Sequence, residues 1–194
     1  MDPKVFKQQL LDKLYAPYKN CVQCPLGFLG RKNVVFGEGN PDADLLFVGE
    51  APGKDEDLQG RPFVGKSGQL LNRVLTKVEI AREDVFITNI VKCRPPENRA
   101  PAPIEISTCT KLFLFNQIKI IRPKVICTLG SIALNALAES PLQITKVRGK
   151  IIEREGMIIV PTYHPAYILR NQTQALVWLQ DFQFIKEQLQ TRTK

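Results

Sequence analysis

Short apolar runs alternate with longer segments of helical periodicity along most of the chain. The apolar runs are rich in β-branched and aromatic residues, which is typical of buried strands. They lie at 45–48, 85–91, 125–129 and 157–160. The helical segments lie at 5–15, 67–78, 104–121, 132–137 and 176–189. Strands that alternate with helices indicate an α/β layered domain with a mainly parallel sheet.

The order of the elements also predicts where a ligand would bind. In parallel sheets of this kind, ligands bind beyond the carboxyl ends of the strands. Three loops with unusual residues leave those ends, at 49–68, 89–103 and 162–170. We expect these loops to converge on one site, within a single domain that spans residues 1–194. Residues 144–155 are predicted to form a hairpin that turns near Gly149.

The loop at 49–68 contains five glycines, two prolines and one large aromatic residue, Phe63. A loop of this length without secondary structure is usually functional or disordered. Residues 60–67, GRPFVGKS, also match the phosphate-binding pattern G-x-x-x-x-G-K-[ST]. However, the acidic residues at 55–57 would repel a triphosphate, and no apolar run ends in an aspartate that would hold magnesium. We therefore interpret this match as accidental.

The composition is that of an ordinary globular protein with an excess of positive charge. The 194 residues carry a formal net charge of +8, concentrated between residues 111 and 155. Such a surface favours a polyanionic partner such as nucleic acid, although it also serves solubility. No apolar run is long enough to span a membrane, and the N-terminal residues lack the apolar core of a signal peptide. These features predict a cytoplasmic protein whose thiols stay reduced.

Four of the five cysteines lie in predicted loops or beside them. Cys21 and Cys24 form a C-x-x-C pair, and Cys93 and Cys109 bracket a proline-rich segment. Four thiolates can hold one metal centre, and their spacing does not distinguish zinc from an iron–sulfur cluster. The strand-to-helix turn of a redox-active C-x-x-C is absent here. Cys127 lies inside a predicted strand and is interpreted as a core residue.

Two polar residues lie at the ends of predicted strands and are candidates for chemistry. His164 is the only histidine, and Pro165 fixes its backbone. A lone histidine is more often structural than catalytic, but its place at a strand end favours a function. Asn89 offers both donors and an acceptor, which suits the amide-like edge of a nucleobase. The alternative for Asn89 is a turn-forming side chain that bonds its own backbone.

Several motifs together resemble one known family. The segments GEAPGKDED, GRPFVGKSGQLL, TNIVKCRPPENRAP and YHPAYILR, with the four loop cysteines, resemble the family 4 uracil-DNA glycosylases. These form the iron–sulfur branch of the uracil-DNA glycosylase superfamily. The resemblance extends from Cys21 through the final predicted helix. It implies a three-layer α/β/α fold with a central four-stranded parallel sheet, and a [4Fe–4S] cluster held by Cys21, Cys24, Cys93 and Cys109.

The resemblance also implies an activity and its setting. The protein would act in base excision repair as a monofunctional glycosylase that flips uracil out of DNA and hydrolyses its N-glycosidic bond. Its partner would be uracil-containing DNA, single- or double-stranded. We expect a monomer in the nucleoid, with replication or repair proteins as further candidate partners. The chain lacks the KRRIH-type insertion of relatives that bond covalently to DNA, so free turnover is expected.

Roles in the uracil pocket follow from the matching positions. Phe63 would stack on the uracil ring, and Asn89 would bind its Watson–Crick edge. Glu56 would lie near the C5 edge and exclude thymine. His164 would donate a hydrogen bond to O2 while negative charge develops on the leaving base. Backbone amides would contact a carbonyl oxygen, and they belong to Gly49, Glu50 and Ala51.

Contacts to DNA are implied less specifically. An apolar wedge would fill the stack vacated by uracil, and Tyr167, Ile168 and Leu169 are the candidates. Basic residues including Lys146, Arg148 and Arg99 would hold phosphates.

The sequence does not identify the group that activates water. Better-known relatives carry an aspartate where this chain has Ala51, which leaves Glu50 and Glu56 as acidic neighbours. The alternative function is a non-catalytic iron–sulfur DNA-binding module. That alternative accounts for the charge and the cysteines but not for Phe63, Asn89 and His164 together.

Overall fold

The computed structural model describes residues 2–191, which are organised around one six-stranded sheet. The strand order is β1-β3-β2-β4-β6-β5. The four central strands are parallel to one another, and the two short edge strands are antiparallel to their neighbours. The strands are β1 Glu38–Gly39, β2 Leu45–Gly49, β3 Phe86–Asn89, β4 Val125–Leu129, β5 Ile152–Arg154 and β6 Met157–Thr162.

Helices cover both faces of this sheet. They are α1 Pro3–Tyr15, α2 Lys54–Gln59, α3 Lys66–Lys77, α4 Pro103–Cys109, α5 Phe115–Ile121, α6 Ser131–Ala138, α7 Ile144–Val147, α8 Pro165–Arg170 and α9 Ala175–Thr191. A π-helical segment, Thr110–Leu114, joins α4 to α5, so the predicted helix at 104–121 exists but is interrupted.

Two cores lie on opposite faces of the sheet. Leu46 and Val48 of β2 point into one core, which contains residues from α1, α5 and α6. Leu45 and Phe47 point into the other, which contains residues from α3 and α9. Because alternate residues of one strand enter different cores, the molecule has three layers. The predicted α/β/α class is confirmed, and the four parallel strands form the centre of the larger sheet. Cys127 is fully buried in the second core, as predicted.

The structure differs from the sequence-based prediction at two connections. The loop at 49–68 contains the six-residue helix α2, which has only one apolar side chain, Leu58. The predicted hairpin near Gly149 is wrong, because residues 144–147 form α7. The hairpin lies further along, between β5 and β6, and turns at Glu155 and Gly156, both in the left-handed region.

No helix in the described range 2–191 is long and apolar enough to cross a membrane.

Candidate active site

The three loops that leave β2, β3 and β6 enclose a cavity of about 470 Å³ at the carboxyl end of the sheet. This confirms the predicted convergence. The cavity has the size of a small-molecule site. Its lining includes Glu50, Ala51, Glu56, Phe63, Asn89, Arg99, His164 and Tyr167 among the predicted residues, and Ser67, Asn98 and Arg170 among the others.

Phe63 forms a nearly buried wall of the cavity and has a left-handed backbone, with φ of 52°. Its ring centroid lies 5.8 Å from that of His164. Gly68 makes the backbone path possible, because a Cβ there would lie 1.8 Å from the Phe63 carbonyl oxygen. Such backbone strain is typical of functional sites.

Gly49 lies behind this wall and does not line the cavity itself. A Cβ at Gly49 would lie 2.4 Å from Oδ1 of Asn89 and 2.6 Å from Cζ of Phe63. The absence of a side chain at Gly49 therefore lets the Phe63 ring and the Asn89 amide sit against the end of β2. Both groups have room beside the cavity because the backbone behind them is bare.

Glu56 organises the loop that carries Phe63. Its buried carboxylate accepts hydrogen bonds from the backbone N–H groups of Gly53 (3.1 Å), Val64 (2.9 Å) and Gly65 (2.8 Å). Both carboxylate oxygens are thus occupied by the main chain. This arrangement fixes both sides of α2, while the predicted role of Glu56 against thymine stays a prediction.

Asn89 ends β3 with a buried side chain that faces the cavity. Its Oδ1 has no hydrogen-bond partner among residues 2–191. The alternative of a turn-forming asparagine is therefore wrong, since that role requires the oxygen to bond nearby backbone. Buried polar atoms in proteins are nearly always paired, so an unpaired oxygen at a cavity indicates a ligand that supplies the missing donor.

His164 has a defined tautomer. Its Nδ1 accepts a hydrogen bond from the backbone N–H of Ala166 at 3.1 Å, so the proton of the neutral ring lies on Nε2. Burial lowers the pKa of His164 to about 4, and the charge of Arg170 contributes in the same direction. At neutral pH the imidazole is therefore uncharged and has one N–H to donate.

Glu50 and Ala51 continue β2 into the cavity. Burial raises the pKa of the Glu50 carboxyl above its ordinary value. No protein group in the described part of the chain donates a hydrogen bond to this carboxylate, in contrast to Glu56. Glu50 is thus the acid at the cavity whose oxygens are available to a ligand or to water.

The three candidate wedge residues differ in accessibility. Ile168 is only 3% exposed and belongs to the core shared with α3 and α9, so the prediction is wrong for this residue. Tyr167 lines the cavity and packs against Tyr163, with ring centroids 4.7 Å apart. Leu169 is 43% exposed. A wedge must protrude from the surface, which leaves Leu169 and Tyr167 as candidates.

Arg148 does not have the predicted role of holding phosphate. Its guanidinium forms an ion pair with the buried Asp181 and donates to the Val177 carbonyl at 2.8 Å. Asp181 also accepts a hydrogen bond from Thr162. Arg148 therefore fastens the segment after α7 to α9, Asp181 joins α9 to the end of β6, and Arg148 has few donors left for a ligand.

Two arginines, Arg99 and Arg170, line the cavity. Arg99 forms a two-pronged ion pair with the buried carboxylate of Glu105, at 2.8 and 2.9 Å, and remains 41% exposed. Arg170 ends α8 and is exposed. Apart from its place in the loop at 162–170, no feature of the sequence singles out Arg170.

The four cysteines predicted to bind metal are all free thiols at the same core. Burial raises the pKa of Cys93 to about 12, and the other three thiols add to this effect. The backbone N–H of Lys92 donates to Sγ of Cys109 at 3.3 Å. Within residues 2–191, no three His, Cys, Asp or Glu side chains are close enough to hold a single metal ion.

This donor set fits an iron–sulfur cluster, because four cysteine thiols lie at one core. A cluster is bound by one thiolate at each iron, so its ligands stand farther apart than those around a single ion. The surroundings also suit an anionic group, because Arg31 lies close enough to Cys93 to oppose the rise in its pKa. The buried Nε of Arg31 has no partner among the described residues, which leaves a donor free for such a group.

Comparison with known proteins identifies similar chains. Residues 36–190 match the model of the uracil DNA glycosylase superfamily. The chain is 46% identical over 190 residues to a type-4 uracil-DNA glycosylase of Thermotoga maritima. The aligned region covers 94% of this chain and 98% of that protein. It is 44% identical to the type-4 enzyme of Saccharolobus solfataricus, over 94% of this chain and 88% of that protein. Identity to the type-4 enzyme of Archaeoglobus fulgidus is 41%, over 91% of this chain and 92% of that protein.

Proposed function

The chain belongs to the uracil-DNA glycosylase superfamily and is a uracil-DNA glycosylase of DNA repair, and from this premise we propose how its cavity works. A base inside a duplex cannot be reached until it is unstacked and turned out into a pocket. We propose that the cavity beyond β2, β3 and β6 receives this base. The observation that carries the proposal is the buried, unpaired Oδ1 of Asn89, a residue that lines the cavity together with Phe63 and His164.

Recognition of uracil would combine stacking with hydrogen bonds. The Phe63 ring offers a flat apolar wall, and base–aromatic stacking contributes about 1–3 kcal/mol. The amide of Asn89 matches uracil because its oxygen accepts from N3–H while its N–H donates to O4. Cytosine lacks N3–H and carries an amino group at position 4, so it would leave buried groups unpaired. Backbone amides of Glu50 and Ala51, which line the cavity, would complete the contacts to the base.

Bond cleavage would depend on the neutral His164. As the bond between C1′ and N1 breaks, both electrons move onto uracil and negative charge develops at O2. The Nε2–H of His164 would donate to that oxygen, and a donor placed where charge develops is stronger in the transition state than in the ground state. Water then adds to C1′ and gives up a proton.

We infer that Glu50 orders this water or takes its proton. Its carboxylate accepts no hydrogen bond from the described protein, and burial raises its pKa toward the range of a useful base. Glu56 is less suited, because three backbone N–H groups occupy its oxygens. Its carboxylate would instead hold the cavity wall near the C5 edge of uracil, where a methyl group has to be excluded.

DNA would lie across the mouth of the cavity. Arg170 and Arg99 are the cations nearest to a flipped nucleotide, and Leu169 or Tyr167 would fill the vacated stack. Phosphate contacts of this kind give affinity that falls with salt. We propose that residues 1–194 act as one monomeric domain on single- or double-stranded DNA in the nucleoid, with replication or repair proteins as further partners.

We also propose that Cys21, Cys24, Cys93 and Cys109 hold a [4Fe–4S] cluster. When bound, the cluster would supply a cross-link between the segment at 21–24, the residue after Lys92 and the end of α4. Hydrolysis of a glycosidic bond transfers no electron, so the reaction needs no redox step. We do not favour the alternative of a non-catalytic DNA-binding module. The curated relatives are named glycosylases, and the cavity brings Phe63, Asn89 and His164 together.

Replacing Phe63 tests the recognition proposal. We expect Phe63→Ala to lower the rate of uracil excision by about 5- to 150-fold, which corresponds to about 1–3 kcal/mol of stacking. The measurement is single-turnover release of uracil from a labelled oligonucleotide, followed by alkaline cleavage of the abasic sites. Phe63→Tyr keeps the ring and serves as the matched control. Equal rates for Phe63→Ala and the parent protein would remove Phe63 from the site.

A second prediction concerns Gly49, which lies behind Phe63 and Asn89. A methyl group at Gly49 would overlap both Phe63 and Asn89, so we expect Gly49→Ala to lower excision by about a hundredfold through misplacement of those groups. Gly156→Ala is the matched control, because nothing lies within 4 Å of a Cβ at that position. Its positive φ adds strain, but it is far from the cavity in the β5–β6 turn. Both variants are assayed for excision and for melting temperature.

A further inference from the structure

Lys92 is a fully buried lysine three residues beyond Asn89. Its ammonium donates three hydrogen bonds: to Oγ1 of Thr88 at 2.6 Å, to the Asn89 carbonyl oxygen at 2.7 Å and to Oε1 of Gln117 at 2.8 Å. Lysine is almost never fully buried unless its charge is paired or satisfied. Here each of the three N–H groups of an ammonium has an acceptor, so the side chain is held in one place.

The acceptors of Lys92 are themselves fixed by a second layer of bonds. Both Oγ1 of Thr88 and Nε2 of Gln117 donate to the carbonyl oxygen of Phe36, each at 2.9 Å. The network therefore connects three segments that are distant in sequence: the chain before β1, the end of β3, and α5. All of its side chains are buried, and the desolvated bonds within it are strong.

The end of β3 needs such an anchor because of what Asn89 lacks. Oδ1 of Asn89 has no partner in the described range, so no protein group orients the oxygen end of the amide. Gly49 beside it has no side chain to confine the amide. The direction of the side chain depends on the backbone at Asn89, and Lys92 binds the carbonyl oxygen of that same residue.

We propose that Lys92 is a positioning residue for base recognition. By fixing the backbone carbonyl of Asn89, it holds the side-chain amide in the direction that meets the edge of uracil, and it thereby contributes to selectivity for uracil over cytosine. The inference rests on the proposed role of Asn89. A recognition group works only when its support holds it within a fraction of an ångström, and a shift of about 1 Å can cost about a hundredfold in rate.

A double-mutant cycle between Lys92 and Asn89 tests the proposal. Lys92→Met keeps the length of the side chain and removes the ammonium. We expect it to lower kcat for uracil excision by about ten- to a hundredfold. In the Asn89→Ala background, the same substitution should lower kcat by less than about threefold, because residues that act through one another are not additive. The ratio of the inhibition constants of free cytosine and free uracil should also fall toward one in Lys92→Met.

A purely structural role for Lys92 predicts a different pattern. Lys92→Met would then lower kcat by the same factor in the parent protein and in Asn89→Ala. It would also leave the ratio of the cytosine and uracil inhibition constants unchanged, and these results would overturn the proposal. Ile185→Ala creates a cavity beneath α9, in the core on the opposite face of the sheet from Phe36, and provides a control that lowers the melting temperature away from the network. Metal content per chain is measured for each variant, since Lys92 adjoins Cys93.

Gln117→Leu decides the question if Lys92→Met does not fold or loses metal. This residue lies in α5, eight positions beyond Cys109, and its loss frees the ammonium on one side. We expect a smaller fall in kcat than for Lys92→Met, with the same lack of additivity with Asn89→Ala. Full additivity would reject the proposal. If Asn89→Ala itself excises uracil at the parent rate, then the assigned role of Asn89 fails, and this outcome is distinct from failure at Lys92.

Discussion

His164→Ala is expected to lower single-turnover excision of uracil by about 10²–10³-fold, the cost of removing one donor to a developing oxyanion. His164→Gln should be less damaging, because its amide retains an N–H that can reach toward the same region. Both variants lose the hydrogen bond from Ala166 to Nδ1, so both should lose a similar, small amount of helix-capping stability. A difference in rate between them therefore reports the donor and not the fold. Equal rates for the parent and His164→Ala would exclude His164 from the chemistry.

The pH dependence should follow from the lowered pKa of His164. With a pKa of about 4 in the folded protein, the ring stays neutral at pH 5–8, and His164 should add no step to the rate profile near pH 6.5. Below about pH 4, protonation of Nδ1 would break its bond to Ala166. Between pH 6.5 and about 4 the unfolded chain binds more protons at this residue than the folded chain does. The free energy of unfolding should therefore fall as pH falls through that window.

The second large effect is expected at the cysteines. Cys109→Ser should lower the iron content per chain and the visible absorption of the purified protein, because one thiolate of the proposed cluster is lost. Loss of a structural metal centre belongs to the few changes that cost about 4 kcal/mol or more. For a chain of this size that corresponds to a fall of about 8–16 °C in melting temperature.

Cys127→Ala is the matched control for this experiment. Cys127 is also fully buried, but it lies in β4 within the core that contains α3 and α9, whereas the four ligand candidates pack at the other core. The Cys127→Ala variant should keep its iron and lose only the stability that a small core side chain contributes. A parent protein that is colourless and binds zinc, or a Cys109→Ser variant with full iron content, would contradict the cluster assignment.

Much of the fold could be predicted because long elements leave a periodic pattern. The four central strands and the helices α1, α3, α6 and α9 each bury a face, so their apolar residues recur at the spacing of the element. β1 and β5 have two and three residues, too few to show any period. α2 was missed for a related reason: its buried residues are Glu56 and Asp57, which are held by backbone N–H groups and not by apolar contact.

The site was predictable where chemistry and chain order coincide. Phe63, Asn89 and His164 each lie at or beyond the carboxyl end of a central strand, and topology alone brings such positions together. Properties that depend on partners from elsewhere in the chain were not predictable. The ion pair that withdraws Arg148 from the surface depends on Asp181, 33 residues later. The burial of Ile168 likewise depends on which side of a short helix faces α3 and α9.

The positions of the four cysteines limit how far the chain can be shortened from its N-terminal side. The region that matches the superfamily model begins at residue 36, after Cys21 and Cys24. α1 also lies before it, although Leu11 is buried in the sheet core and the hydroxyl of Tyr15 donates to the Val34 carbonyl at 3.1 Å. A fragment cut at residue 36 would therefore discard two of the four proposed cluster ligands and part of the interior. The region matched by the superfamily model is thus shorter than the part of the chain that packs together, and a minimal catalytic fragment should keep α1 and the segment at 21–24.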